Sequence, residues 1–235
     1  MWDNAPLLRS FANALFVCSA CAVTFGAIHY VTHLPGLFPL QSVRLSAVPR
    51  RVDVDKVLQV VRNDVRGNFF TVDIERLRKS LERLPWVRKV NIRREFPRKL
   101  EVLLEEHQAL ARWNSSTLVN QQGEVFIAGS EESLPKFTGQ DGAAAEMTEY
   151  YTQFSQQLAA LDLQVTQVAL SARHAWQLHL NNGMVLELGR EDMQQRLARF
   201  VEVYPYSIAA IQGQVKYVDL RYRNGFAVSG LTRQG

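Results

Sequence analysis

The two cysteines, Cys18 and Cys21, stand three positions apart, and the histidines include two close pairs, His29 with His33 and His174 with His179. Thiols or imidazoles at such spacings can share a metal ion when a helix or turn aims them together. Each pair lacks what a site needs. Cys18 and Cys21 lie in an apolar run on one helical face, where small thiols act as packing residues. The chain beyond them has no cysteine, which excludes a disulfide framework or a thiolate metal site there. His29 and His33 have no third ligand nearby and read as interfacial residues. His174 and His179 are five apart in expected β structure, which sends them to opposite faces. His107 reads as the end of a strand. The carboxylate pairs Glu105-Glu106 and Glu131-Glu132 sit among surface and turn residues. No nucleophile elbow, phosphate-binding glycine loop or HExxH helix occurs. No enzyme, cofactor or metal is expected.

One stretch invites a different chemistry. Residues 88–99 (RKVNIRREFPRK) hold six Lys and Arg in twelve positions, a density found where proteins neutralise phosphates. No aromatic platform interleaves with these charges, and Glu95, Glu101, Glu105 and Glu106 lie close enough to partner them. The net charge of +4 is mild. It is uneven, however: residues 44–112 carry 17 basic and 10 acidic side chains, whereas residues 113–235 carry 9 and 12. That asymmetry predicts two modules with different faces; because each carries many acids and no aromatic platform interleaves with the basic residues, no nucleic acid is expected as partner.

The elements that position these residues begin with a membrane segment. Residues 11–34 contain no Lys, Arg, Asp or Glu, and as a helix would extend about 36 Å, enough to cross a bilayer. Pro35 and Gly36 end the run. An A-x-A cleavage site fits Ala20-Cys21-Ala22, but the apolar run continues to Val31, longer than a signal core, so an uncleaved anchor is expected. Arg9 and the α-amine, offset by Asp3, give only a thin charge signal for a cytoplasmic N-terminus.

After the anchor, residues 42–48 alternate as a strand. Asp53 or Asp55 caps a helix carrying Val57, Leu58, Val60 and Val61. Thr71 or Asp73 caps a second, with Ile74, Leu77, Leu81 and Leu84 as its buried stripe. The basic stretch then reads as a hairpin: Val90 and Ile92 face a core, Lys89, Asn91 and Arg93 face water, and Leu100, Val102 and Leu104 return beyond Phe96-Pro97. The order is β-α-α-β-β. In the second half, a hairpin is expected about Gln121-Gln122-Gly123 and a helix over residues 146–161. Strands follow in residues 165–172 and 175–189, the latter folded at Asn182-Gly183, then a helix over residues 190–204 and a closing strand over residues 215–228.

These residues resemble a known family. FFTVDIERLRKSLERLPWVRKVNIRREFPRKLEVLLEEHQALARW, with its Leu-Pro-Trp-Val turn and Phe-Pro hairpin, resembles a POTRA domain. Its place after one N-terminal span, together with ARHAWQL, LGREDMQQRLARFVEVYP and YVDLRY further on, resembles the FtsQ/DivIB family of bacterial division proteins. The resemblance implies an α+β chain: a cytoplasmic tail over residues 1–10, a transmembrane helix over 11–34, a POTRA domain over 40–109, and a mixed α/β domain over 110–230 with a mainly antiparallel sheet. It further implies a non-enzymatic scaffold of the divisome in the inner membrane at the septum, with the main part periplasmic. Partners would be FtsB and FtsL, by strand addition at the last strand, and further FtsK, FtsW and FtsN. Carried onto this sequence, the partner-binding residues are Arg173, Arg221, Tyr222, Asn224 and Gly225, with Arg221 and Arg173 meeting acidic residues, and Lys89, Ile92 and Arg94 on the POTRA strand. The alternative is a POTRA-bearing translocation component, which would carry tandem repeats or a barrel.

Overall fold

Twenty-odd residues without a charge leave a chain in lipid no alternative to satisfying its own peptide groups, and a helix does so within one segment. In the computed structural model, which describes residues 5–34, 36–209, 211 and 215–230, that helix is α1, Ala5–His33. Its apolar part, Leu8–His33, is not covered by the rest of the protein. Of the expected tail, residues 1–4 lie outside the described residues, as does Pro35, the expected helix stop.

The chain divides into two compact units, between Glu106 and His107. In the first, β1 (Ser42–Leu45), α2 (Val54–Asp64), α3 (Ile74–Leu81), β2 (Val87–Glu95) and β3 (Lys99–Glu106) follow the order β-α-α-β-β. The sheet order is β1-β3-β2, with β1 parallel to β3 and β2 antiparallel to it. Asp53 caps α2 through the Asp55 N–H, and Asp73 caps α3 by accepting from Arg76 N at 2.9 Å. Val57, Leu77, Leu81, Val90, Leu100 and Val102 form the core. An irregularity in the β2–β3 register between Val87 and Lys89 lets Val87 be buried along with Val90, against strict alternation. The strand expected over residues 42–48 stops at Leu45.

Among the described residues, the second unit is built on one nine-stranded sheet. Its strands are β4 (Ala109–Trp113), β5 (Thr117–Asn120), β6 (Val125–Phe126), β7 (Lys136–Thr138), β8 (Val165–Leu170), β9 (Trp176–Leu180), β10 (Val185–Gly189), β11 (Tyr217–Asp219) and β12 (Ala227–Ser229). Their spatial order is β12-β11-β10-β9-β8-β7-β4-β5-β6. Five of the eight pairings are antiparallel; β10–β11, β8–β7 and β7–β4 are parallel. Helix α4 (Ala144–Ala159) packs on β8 and α5 (Met193–Val203) on β10. Phe137, Phe154, Trp176, Leu178, Leu186, Leu197 and Phe200 fill the space beneath. Gly123, at φ +79°, turns the β5–β6 hairpin against α4, where a Cβ would come within 2.4 Å of the Ala145 Cα.

The closing strand expected over residues 215–228 is not one strand. It breaks into β11, a turn and β12, and β12 folds back antiparallel on β11. The physical reason lies at the end of β11, where the Asp219 carboxylate accepts from the Arg221 N–H at 3.0 Å, an Asx-type turn that takes the chain off the sheet. His174 likewise sits in a turn, at φ 58°, and not in a strand.

Candidate partner-binding edge

Val218 and Leu220 are buried under α5 because β11 is an inner strand, yet the carried-over residues lie just past it. Arg221, Tyr222, Asn224 and Gly225 occupy the β11–β12 turn. Tyr222 does not pack on its own core: 57% of it is exposed. Asn224 and Gly225 line a groove of ≈ 360 Å³ against α5, together with Arg199, Phe200 and Phe226. The Arg199 guanidinium donates to the Arg223 carbonyl, and Phe226 stands edge-on to Phe200 at 6.4 Å, so the turn is held to α5.

Arg221 is engaged within the chain. Its Nε and Nη2 donate to the two carboxylate oxygens of Asp219 at 2.9 and 2.6 Å, and its backbone N–H adds a third bond at 3.0 Å. This fork holds the Asp219 carboxyl below the usual carboxylate range against the opposing effect of burial, and raises the guanidinium in turn. Burial, then Glu187 and Asp219 nearby, push the Tyr217 phenol up. Gly189, at φ +75°, makes the arrangement possible: a Cβ there would meet Arg221 Cγ at 3.1 Å.

Arg173 lies in the tight β8–β9 turn closed by Ser171 N–H to Ala175 O at 2.9 Å. Register places this turn at the same end of the sheet as Arg221, since Trp176 opposes Gly189 and Glu187 opposes Asp219. Two strand spacings of about 4.8 Å separate β9 from β11. Arg173, Arg221 and Tyr222 are thus brought to one sheet end.

The hydrogen bonding decides which backbone groups are free. Lys216 O accepts from Val185 N and Leu220 N donates to Glu187 O, so even-numbered residues of β11 turn their polar groups toward β10. Tyr217 and Asp219 therefore turn theirs toward β12, to their register partners Ser229 and Ala227. Val228, between them, points its N–H and C=O outward. Among the described residues nothing pairs with that side of β12. The expectation of one closing strand over residues 215–228 conceals this edge, because it leaves no second strand to fold back outside β11.

The three positions carried over onto β2 are not brought onto one face. Lys89 is exposed opposite Glu105, whereas Ile92 is half-buried opposite Val102. Arg94 donates to Val72 O at 3.1 Å and Phe70 O at 3.5 Å, bracing the loop before α3. What they share is β2, the sheet edge, and there the Val90 N–H is already taken by Glu82 Oε1 at 3.3 Å. At the far end of β3, Glu106 accepts from Arg50, Arg51 and Val52 N–H. Partial burial would raise its carboxyl, but these bonds and the Arg51 cation outweigh that and hold it low.

His107 stacks on Phe126 at 4.0 Å and meets Asn120 Nδ2 at 2.9 Å, a hairpin brace. Among the described residues no group of three or more His, Cys, Asp and Glu is arranged to hold a metal.

Comparison with known proteins covers both units. Residues 38–107 match the POTRA domain of FtsQ type, and residues 111–221 match the C-terminal domain of cell division protein FtsQ/DivIB. The cell division protein FtsQ of Nitrosospira multiformis is 41% identical over 235 residues, 98% of this chain and 99% of that protein. The FtsQ of Burkholderia pseudomallei is 35% identical over 235 residues, covering 97% and 94%. That of Neisseria gonorrhoeae is 32% identical over 229 residues, covering 97% and 94%.

Proposed function

The chain belongs to the FtsQ/DivIB family of cell-division proteins, and from that premise we propose that it is a non-enzymatic scaffold of the division septum. In this reading α1 anchors it in the inner membrane, residues 1–10 are cytoplasmic, and the domains over 40–109 and 110–230 are periplasmic. FtsB and FtsL bind the second domain, and FtsK, FtsW and FtsN are further partners. The observation that carries the reading is the outward backbone of Val228 on β12, with the exposed ring of Tyr222 in the adjoining turn. An edge of this kind takes an added strand through main-chain bonds, while flanking side chains select the partner. The translocation alternative has no observation of its own, since the POTRA match is of the FtsQ type.

Amide hydrogen exchange tests it on the full-length chain in nanodiscs. Adding the FtsB–FtsL pair should slow exchange at Val228 and leave the inner strand β9 unchanged. Unaltered exchange at Val228 in a complex shown to have formed would place the binding surface elsewhere.

A further inference from the structure

The last turn of α1 is fastened to the first module. Asn68, 1% exposed, donates through Nδ2 to Thr32 O at 2.7 Å and to Leu34 O at 3.3 Å, carbonyls that a helix end leaves without partners. Its Oδ1 accepts from Phe70 N, Thr71 N and Thr71 Oγ1, so the loop that holds the helix is itself fixed. Pro39 bridges to Asn68, and Phe69 N donates to Phe38 O.

This fastening sets a height. If Arg9 marks one boundary, about 30 Å of hydrocarbon takes about 20 residues at 1.5 Å each, and the other boundary falls near Tyr30. His29, Tyr30 and His33 suit that level. Thr32 and Leu34 then lie only about 3–6 Å farther along the axis, within an interfacial layer about 5–7 Å thick.

At this height the module presents aromatic surface. Phe70 is 42% and Phe96 is 71% exposed, and Leu37, between the helix end and Phe38, is 41% exposed. Phe38 meets Phe70 edge-on at 5.2 Å, and the buried Phe69 touches Phe70 at 5.2 Å and Phe96 at 6.0 Å, so the two exposed rings are joined through it. Arg66 and Arg98, two residues from Asn68 and from Phe96, are exposed, and the Arg98 carbonyl accepts from Gln41 N just before β1.

We infer that the Phe70–Phe96 patch lies in the headgroup layer of the membrane that α1 crosses, with Arg66 and Arg98 on anionic headgroups. The inference rests on the reading of α1 as a membrane span. A bilayer is the occupant, because Phe38 and Phe69, which join these rings, follow directly on the helix end and on the Asn68 that holds it. Exposed apolar rings bury area at the boundary of headgroups and acyl chains, and arginines meet the anionic headgroups above it.

Spin labels on the full-length chain test it, with Cys18→Ser and Cys21→Ser as background. Single cysteines go at Val23→Cys, Lys89→Cys and Phe96→Cys, in vesicles of phosphatidylethanolamine and phosphatidylglycerol. Collision with oxygen, which favours lipid, is compared with collision with a water-soluble nickel chelate. Position 89 lies on β2, about 20 Å at about 3.3 Å per residue from Glu95, the strand end that precedes Phe96, and serves as the aqueous control. The expected oxygen-to-nickel ratio at 96 is several-fold that at 89 and below that at 23. A ratio at 96 equal to that at 89, with 23 in lipid, overturns the inference alone. A water-like ratio at 23 overturns the membrane span and the inference with it. Shielding of 96 from both reagents would mean a protein occupant, and also overturns it. Replacing phosphatidylglycerol by phosphatidylcholine should lower the ratio at 96; no change overturns the part assigned to the arginines.

Discussion

At the level of single side chains, the cation expected to meet a partner's acids first meets an acid of its own chain. The Asp219–Arg221 fork is 11% exposed on the carboxylate side but 55% exposed on the guanidinium side, so it fixes the turn while leaving a face of Arg221 in solvent. Because Asp219 is held below its unfolded value near 4, the pair stabilises fully above about pH 4 and loses that contribution as pH falls through the folded value. Asp219→Asn should cost about 1 kcal/mol at neutral pH, screening taken into account. It should also flatten the acid limb of stability against pH, as thermal melts from about pH 6 to about pH 2 would record. Tyr222→Ala, by contrast, removes a ring with little to lose in the free protein, and should cost about 2 kcal/mol or more in FtsB affinity by titration. Arg173→Glu should weaken the same complex, more at low salt than at high. On the first module Lys89→Glu is the cleaner charge reversal, tested by septal localisation of a fluorescent fusion. Arg94→Glu would also release the carbonyls of Phe70 and Val72.

Among the elements, β12 is three residues long, and its outer side presents one residue's pair of backbone groups. Val228→Pro follows from that geometry: it deletes an N–H that the protein's own sheet does not use, as edge positions tolerate. The fold should stand and melt near the wild-type temperature, while FtsB affinity falls by about 2 kcal/mol, roughly thirtyfold. A loss of folding instead would mean that Val228 N–H is spent inward. The two helix caps, the β2–β3 hairpin and the turn at Asn182-Gly183 were legible because each rests on local chemistry. The β11–β12 turn begins as locally, with Asp219 accepting from the Arg221 N–H, but alternation through Val218, Leu220 and Tyr222 concealed it. Parallel pairings such as β10 with β11 join residues some thirty apart and leave no mark in either strand. The direction in which Val228 points depends on them, and so was out of reach.

For the molecule entire, an uncharged run followed by two modules of opposite charge balance was enough to read the order of parts. The proposed topology has a direct check: protease added to spheroplasts should digest the chain beyond residue 34, and full protection would reverse the orientation. What the sequence did not reveal is how the anchor meets the first module. Asn68 stood in a loop between two helices, an ordinary polar residue beside Gly67. Its two bonds to the end of α1 change the mechanics. A module on a slack tether can swivel and nod freely above its anchor; one gripped at the helix end behaves as a crank on a shaft. Turning the shaft within the plane of the membrane is then the principal way for the module to change its heading. A neighbour confined to the same plane has a single angle to match instead of three, so encounters in two dimensions become productive more often without any gain in contact strength.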